Sequence, residues 1–524
     1  MMAKIKSIIQ SKYFGLAVVL ILNFVFLSYF CVHKHIFFID EGFSYGWANG
    51  STEAMPIVSE DELCTYNPSV FNKQFTVQAD EIWDYKQSMT NLFDQPPLYY
   101  SLLHVINLFF IDVFSKWAGL ILNLIIFLST QVVLYALSRQ FLDVKKSLLV
   151  VVFYGFSLTA VCTTVFIRCY VLFTLLTTLL CLLTVKLLQA AENNENQKYN
   201  KILLCYFLTL FCGVLTHYYF LITAFSLCAG VCWFLLRDKM YKKLAVFASG
   251  SLVMSGLIPC LFSCVRKQFF SGDRSAELTS ILHENFINHA FGIEVWNRFI
   301  KEDIFGNFFS GNCWLGLALL YGIYCLVKHR KINKSIIIFV ITLIFTILVV
   351  SMVMPLNIRV SGTAKRYFFH ITPLLALMLI LCLEVFLVRF KKGFYVSVAL
   401  VLGLLISIWQ KPDFSVYFHR ENSVEMFYAR HLKNKTLWIH WGEKMPTWKL
   451  VEPALYSVYA DRFIVFRNFS DNCFQNMWAD RNARQYTALM IENPGQTARD
   501  CPKISWYIPV FWTSAICAYL PYRL

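Results

Sequence analysis

The chain has 524 residues, 57% of them hydrophobic and 15% charged, against roughly 25% charged in an ordinary soluble domain. That balance excludes a soluble globular protein and implies a polytopic membrane protein. The formal net charge of +15 sits mostly in short loops between apolar runs, so it marks a cytoplasmic side and does not point to nucleic acid.

The first apolar run, at about 14–33, is too long for a cleavable signal and lacks a small-residue cleavage site. It reads as a retained anchor. An external loop at about 34–116 follows, with eleven acidic residues and four lysines. Within it, the stretch 98–113 is apolar but short for a span and broken at Asp112. We read it as a juxtamembrane helix; the competing reading is one more full span. Further runs at about 117–137, 148–166, 170–187, 202–217, 219–236, 244–264, 312–328, 336–354, 369–388 and 393–409 bring the expected count to about eleven transmembrane helices. Lys4, Lys6 and Lys12 precede the first. Alternate loops carry Arg139, Lys145 and Lys146, then Arg237, Lys239, Lys242 and Lys243, then Lys328, Arg330, Lys331 and Lys334, then Arg389, Lys391 and Lys392. Facing all of these inward places the N-terminus in the cytoplasm and the C-terminus outside. Glu384 is acidic within a span but near its cytoplasmic end, as a snorkelling carboxylate would be.

The expected organisation is a membrane domain at 1–409 and an external α/β domain at 410–524. Strand-like runs in the tail lie at Thr436–Trp441, Arg462–Arg467 and Tyr486–Glu492. Most cysteines fall in spans, where they act as small hydrophobes. Cys473 and Cys501 lie in the tail; their pairing stays open.

Four cations break the positive-inside pattern. Arg168 follows the third span, and Arg359, Lys365 and Arg366 lie between the ninth and tenth. A cation kept on the unfavoured side has a local partner. Two are open: anionic headgroups in general, or the phosphate of a lipid substrate, which suits the planar donors of Arg. On the same expected face lie Arg168-Cys169-Tyr170 and Thr216-His217-Tyr218-Tyr219. Alone, each aromatic reads as part of an interfacial belt.

The early loop carries the other half of a chemistry. Asp40 and Glu41 stand together in Phe37-Phe38-Ile39-Asp40-Glu41-Gly42, and Asp94-Gln95-Pro96-Pro97-Leu98-Tyr99-Tyr100 follows later. One carboxylate at a helix exit is ordinary surface charge. Two together, with an Asp before a Pro-Pro turn that starts a new helix, suit general-base work where lipid meets water.

Taken in order, Asp40-Glu41, Gln95-Pro96-Pro97-Leu98-Tyr99-Tyr100, Arg168-Cys169-Tyr170 and Arg366-Tyr367 resemble the motifs of GT-C membrane glycosyltransferases. The branch they look most like is the family-39 and Rgt-like group, with its protein mannosyltransferases and lipid A aminoarabinose transferases. The resemblance covers roughly 1–409 and departs at Gln95, where that group often has His; Gln hydrogen-bonds but does not titrate. It implies a multi-pass cell-membrane enzyme moving a sugar, with inversion, from a polyprenyl-phosphate donor to an acceptor at the external face. The acceptor, whether protein, lipid or cell-wall glycan, stays unassigned. Asp40 would be the base and Glu41 its support. Arg168, Lys365, Arg366 and Arg359 would hold the donor phosphate. Asp94, Gln95, Tyr99, Tyr170, His217 and Tyr367 would contact substrate. No cofactor is expected; a divalent ion at the carboxylates stays open, though no cluster has a metal-site spacing that indicates one. The alternatives are a flippase for lipid-linked sugars and a ligase or polymerase of the O-antigen type. Against the first stand spans nearly free of charge and no inverted repeat.

Overall fold

The computed structural model describes residues 13–34, 37–49, 64–66, 75–79, 96–261, 322, 324, 333–353, 364–387, 392–410, 412, 414 and five strands between 436 and 521. Asp94, Gln95, Arg359, Cys473, Cys501 and most of the apolar run at 312–328 lie outside the described residues. In chain order the helices are α1 (Phe14–Val32), α2 (Ile39–Asn49), α3 (Leu98–Asn107), α4 (Lys116–Ser138), α5 (Val144–Gly155), α6 (Leu158–Val165), α7 (Tyr170–Glu192), α8 (Asn196–Val214), α9 (Phe220–Arg237), α10 (Tyr241–Leu261), α11 (Lys334–Val353), α12 (Thr372–Leu387) and α13 (Gly393–Gln410). A 3-10 helix, Ala364–Ile371, leads into α12. Among the described residues seven helices are long and apolar enough to cross a membrane, and a bent pair makes up to eight. The protein is a mainly helical, multi-pass membrane protein. It divides into two compact units: Met1–Val32 with Leu92–Tyr99 and Leu120–Phe418, and His33–Asn91 with Tyr100–Gly119 and His419–Leu524.

In the first unit α7 and the segment running into α12 are the most buried spans, while α1 turns Ile21, Leu22, Val25 and Tyr29 outward. Such an apolar outer face suits lipid. The run read as one continuous span at 148–166 is instead two helices, α5 and α6, meeting at 58°. Ser157 makes the break: its hydroxyl donates to the Tyr154 carbonyl (2.7 Å) and accepts from the Ala160 N–H (3.1 Å), so it ends one helix and caps the next. The Phe156 carbonyl accepts from the Trp409 indole at 2.9 Å. Irregular backbone at membrane depth persists where protein groups satisfy it in this way. Gly155 is required there, because a Cβ would lie 2.1 Å from the Asn23 side-chain oxygen. Glu384 is not a lone snorkelling acid. The Lys146 ammonium meets its carboxylate at 2.7 Å and tethers α12 to α5.

In the second unit six strands form one sheet, in the order β1-β3-β2-β4-β6-β5. These are β1 (Cys64–Tyr66), β2 (Thr436–His440), β3 (Arg462–Phe466), β4 (Thr487–Glu492), β5 (Tyr507–Trp512) and β6 (Ile516–Pro521). β2 runs parallel to β3 and β4, with Trp438 opposite Ile464 and Leu489. β1 joins β3 antiparallel, Cys64 opposite Val465. The early loop therefore supplies an edge strand to the sheet of the tail, so the tail at 410–524 does not complete its sheet alone.

α3 has ten residues. At 1.5 Å per residue that is about 15 Å, half of a hydrocarbon core. It is a short helix rather than a span, as the juxtamembrane reading requires.

Candidate active site: a cationic cluster and a capped carboxylate pair

In the first unit, three of the four cations the sequence marks as misplaced, Arg168, Lys365 and Arg366, stand at the ends of buried spans. Arg168 follows α6 in a short extended segment, where its N–H donates to the Phe166 carbonyl at 2.8 Å. Asn123 of α4 braces this segment, its amide donating to the carbonyls of Thr164 and Phe166 at 2.9 Å each. The hydroxyl of Tyr99 in turn donates to Asn123 Oδ1 at 2.8 Å. The sequence reading gives Tyr99 a substrate contact. In the structure that hydroxyl donates to Asn123, and the wholly buried residue adds a link to the Arg168 segment.

Lys365, Arg366 and Tyr367 share the 3-10 helix. Arg168, Lys365 and Arg366 are 8%, 7% and 8% exposed. Holding three cations that far from water is costly unless partners offset it. His217 lies in the turn between α8 and α9. That turn is tight because Gly213 leaves room for the Phe220 ring, which a Cβ would meet at 2.2 Å. His217 Nδ1 accepts from the Tyr219 N–H at 3.1 Å. The neutral ring therefore carries its proton on Nε2. Burial first, then the guanidiniums of Arg168 and Arg366, hold the His217 imidazole down to about 3. It is a neutral donor beside two cations.

Aromatic rings complete the cluster. Tyr170 lies 5.3 Å from His217 and 5.8 Å, edge-on, from Tyr367. Tyr367 is 5.1 Å from Tyr219, and the Arg366 guanidinium lies 5.2 Å from the Tyr367 ring. Arg168, Tyr170, His217, Arg366 and Tyr367 are thus brought together from three distant stretches of chain. Sequence reasoning missed Tyr219, which ties the cluster to α11 through a 3.2 Å bond from its hydroxyl to the Val353 carbonyl. Its place in Thr216-His217-Tyr218-Tyr219 was the available signal. It also missed Asn123, for which no local motif exists.

The carboxylate pair belongs to the second unit. Asp40 and Glu41 occupy the first turn of α2, where the exposed N–H groups favour negative charge. The two differ sharply. Glu41 is wholly buried; its carboxylate accepts from the Phe38 N–H at 2.7 Å and meets the Lys34 ammonium at 2.9 Å. The Glu41 N–H donates to the Phe38 carbonyl at 2.8 Å. This is the backward reach of a Glu at the third helical position that caps a helix start. Asp40 is half-buried. Of the pair it is the one with surface to offer a substrate.

The turn before α2 is held from several sides. The Lys34 carbonyl accepts from the Lys116 ammonium. Phe37 stacks on Phe114 at 4.5 Å. The Tyr45 hydroxyl donates to the Ser115 carbonyl (2.7 Å) and accepts from the Gly119 N–H (3.0 Å). Burial raises the Tyr45 phenol well above its ordinary range, so it stays a neutral strut. At the other end of α2, His104 Nδ1 donates to the Ala48 carbonyl at 2.9 Å, and burial lowers the His104 pKa. Among the described residues no three His, Cys, Asp or Glu side chains gather as a metal site.

No protein-family model matches the chain, and no curated protein matches it. Among solved structures, ArnT from Cupriavidus metallidurans, bound to undecaprenyl phosphate, aligns at 12% identity and a TM-score of 0.49, over 96% of this chain and 97% of that one. The Archaeoglobus fulgidus oligosaccharyltransferase in its apo form aligns at 11% identity and 0.48, over 92% of this chain and 70% of that one. The same enzyme tethered to an acceptor peptide aligns at 10% and 0.47, over 99% and 75%. At such scores the backbone likeness carries no functional argument, and the residues themselves must.

Proposed function

We propose that the protein is a GT-C glycosyltransferase that moves a sugar from a polyprenyl-phosphate donor to an acceptor hydroxyl at the external membrane face. The observation that carries this reading is the burial of Arg168 and Arg366 beside His217 and the rings of Tyr170 and Tyr367, with Lys365 buried next to Arg366 in the chain. That setting, charge at the ends of apolar spans, suits a lipid phosphate.

The chemistry follows. The acceptor oxygen attacks the anomeric carbon, and the bond from that carbon to the phosphate oxygen breaks with its electron pair going to the phosphate. The configuration inverts. The acceptor proton passes to the Asp40 carboxylate. The phosphate leaves with one more negative charge than it had as a diester. Arg168, Lys365 and Arg366 therefore bind the leaving state more strongly than the ground state, which is what lowers a barrier. His217 Nε2–H adds a neutral donor, and Tyr170 and Tyr367 offer ring faces to the sugar. Arg359, Asp94 and Gln95 keep their expected roles in phosphate and substrate binding. Glu41 supports Asp40 by fixing the helix start that carries it. The cofactor requirement is none.

A flippase reading would use the break between α5 and α6. Ser157 and Trp409 already take backbone groups freed there, which leaves less for a cargo. The deciding experiment supplies purified protein in liposomes with a polyprenyl phosphate carrying a radiolabelled sugar, and follows label into a water-soluble or lipid acceptor. Wild type is expected to transfer and Asp40→Asn to stop. Transfer by Asp40→Asn at the wild-type rate removes Asp40 as base. Movement of the intact donor across the bilayer without transfer returns the flippase.

A further inference from the structure

We infer that His370 is a positioning residue of the phosphate site, locking the 3-10 turn that carries Lys365 and Arg366 onto α7 and α9. The inference rests on the proposed role of those cations.

The turn needs a lock. It runs for eight residues as a 3-10 helix, Ala364–Ile371. Such helices bond with poorer geometry than α-helices and rarely exceed three or four residues, so this one is held from outside. His370 is the group that holds it. It stands one turn beyond Arg366 and is 1% exposed. Its Nε2 lies 3.0 Å from the Thr223 hydroxyl on α9. That hydroxyl lies 3.2 Å from Thr346 on α11, so three segments meet in one polar chain inside the apolar core. The His370 ring stacks on Phe173 of α7 at 3.9 Å between centroids and 14° between planes. The same Phe173 ring lies parallel to His217, at 5.1 Å and 6°.

The connection is specific to the site. α7 begins directly after Arg168, and α9 begins directly after the His217 turn. His370 thus ties together the three stretches that supply the cluster: one by stacking, one by a hydrogen bond, and one by carrying it. A buried histidine in an apolar core is most simply a satisfied packing residue. What argues for more is that its stacking and its hydrogen bond end on two helices that begin at or just after cluster residues: α7 at Tyr170, and α9 immediately after Tyr219. Loss of His370 would let the turn shift and carry Arg366, and Lys365 beside it, away from His217 and Arg168. On this inference the effect falls on the phosphate and not on the prenyl chain.

That difference supplies the test. Full-length protein in detergent is titrated with undecaprenyl phosphate and, separately, with undecaprenol, the same chain without the phosphate. Wild type should prefer the phosphate form, and Arg366→Ala should abolish that preference. His370→Ala should weaken undecaprenyl phosphate about tenfold, the scale set by one buried hydrogen bond and one stacked ring, and leave undecaprenol unchanged. His370→Gln keeps a donor for Thr223 and should recover most of the affinity. Thr223→Val should lower it, and add little in the His370→Ala background because the two act through one bond. If His370→Ala does not fold, the Thr223→Val comparison decides alone. Wild-type affinity for the phosphate form in the folded variants, or equal loss of both lipids, overturns the positioning role. A wild type that does not distinguish the two lipids overturns the phosphate site itself, and with it this inference.

Discussion

Two regions bury charge in this protein, and they do so in opposite ways. Around α2, Lys34 and Glu41 lie together, 2% and 0% exposed at the side chain, and their charges close on each other at 2.9 Å. Around the head of α7, Arg168 and Arg366 flank a histidine that burial and the two guanidiniums keep neutral, and Lys365 is buried next to Arg366 in the chain. The first arrangement is self-contained and holds backbone in place. On the proposed function, the second is where a substrate anion binds. On that reading the contrast separates a structural use of buried charge from a functional one, with Glu41 in the framework and Asp40 as the base.

The comparison can be broken from its functional side first. Asp40→Asn should lower sugar transfer by about 10²–10⁴-fold, the usual share of a general base, and leave thermal stability in detergent unchanged. A large loss of stability would move Asp40 into the framework with Glu41. Next, Arg366→Ala should lower turnover by about 10²–10³-fold, as removal of one group stabilising a charged transition state does. A variant that changed only folding would place Arg366 on the structural side.

From the structural side, Lys34→Met should destabilise the protein by about 3–5 kcal/mol, because it leaves Glu41 charged and buried. The double variant Lys34→Met/Glu41→Leu should regain much of that, read as the unfolding midpoint in detergent. Equal loss in single and double variants would mean the pair is not the unit that matters.

A smaller effect should appear with pH. The His217 pKa is depressed in the fold to about 3, against roughly 6.5 unfolded. The unfolded chain therefore binds the extra proton between those values, and stability falls as pH drops from 6.5 towards 3. The groups around this imidazole are Arg168 and Arg366, which disfavour its charge, His370 beyond the Phe173 ring, and the rings of Phe173, Tyr170, Tyr219 and Tyr367. His217→Asn has no such titration. The melting-temperature gap between wild type and variant should therefore shrink on acidification, and a gap that widened would reverse the assignment. The smallest change is expected at the Lys146–Glu384 pair. Glu384→Gln should cost about 1 kcal/mol or less, since Lys146 and Glu384 are 26% and 30% exposed and solvent screens them.

Much of this was legible in the sequence where the signal is local. β2, β3 and β4 fall within a residue of runs rich in β-branched and aromatic residues. β1 was not legible, because three residues carry no period and its partner β3 lies about four hundred residues away. β5 holds Pro509, which suits only an edge, and β5 ends the sheet; a proline in the run hides the strand from pattern reading. The cap by Glu41 escaped for a similar reason. The usual pattern begins with Ser or Thr, and here Phe38 stands at that position. The α5–α6 break was invisible because Ser157 is unremarkable in an apolar run until its two hydrogen bonds are seen.

By itself the sequence determined the membrane class, most of the spans, the acidic motif and the cations that break the alternation of charge between loops. These follow from composition and from charge counted along the chain, which need no knowledge of packing. Only the tertiary structure decided that Arg168, His217 and Arg366 share one cluster, that Tyr99 links to it through Asn123, and that Glu41 is neutralised by Lys34. Each of those rests on a side chain meeting a partner from another element. Such meetings depend on how helices pack and end, which no local pattern of residues encodes.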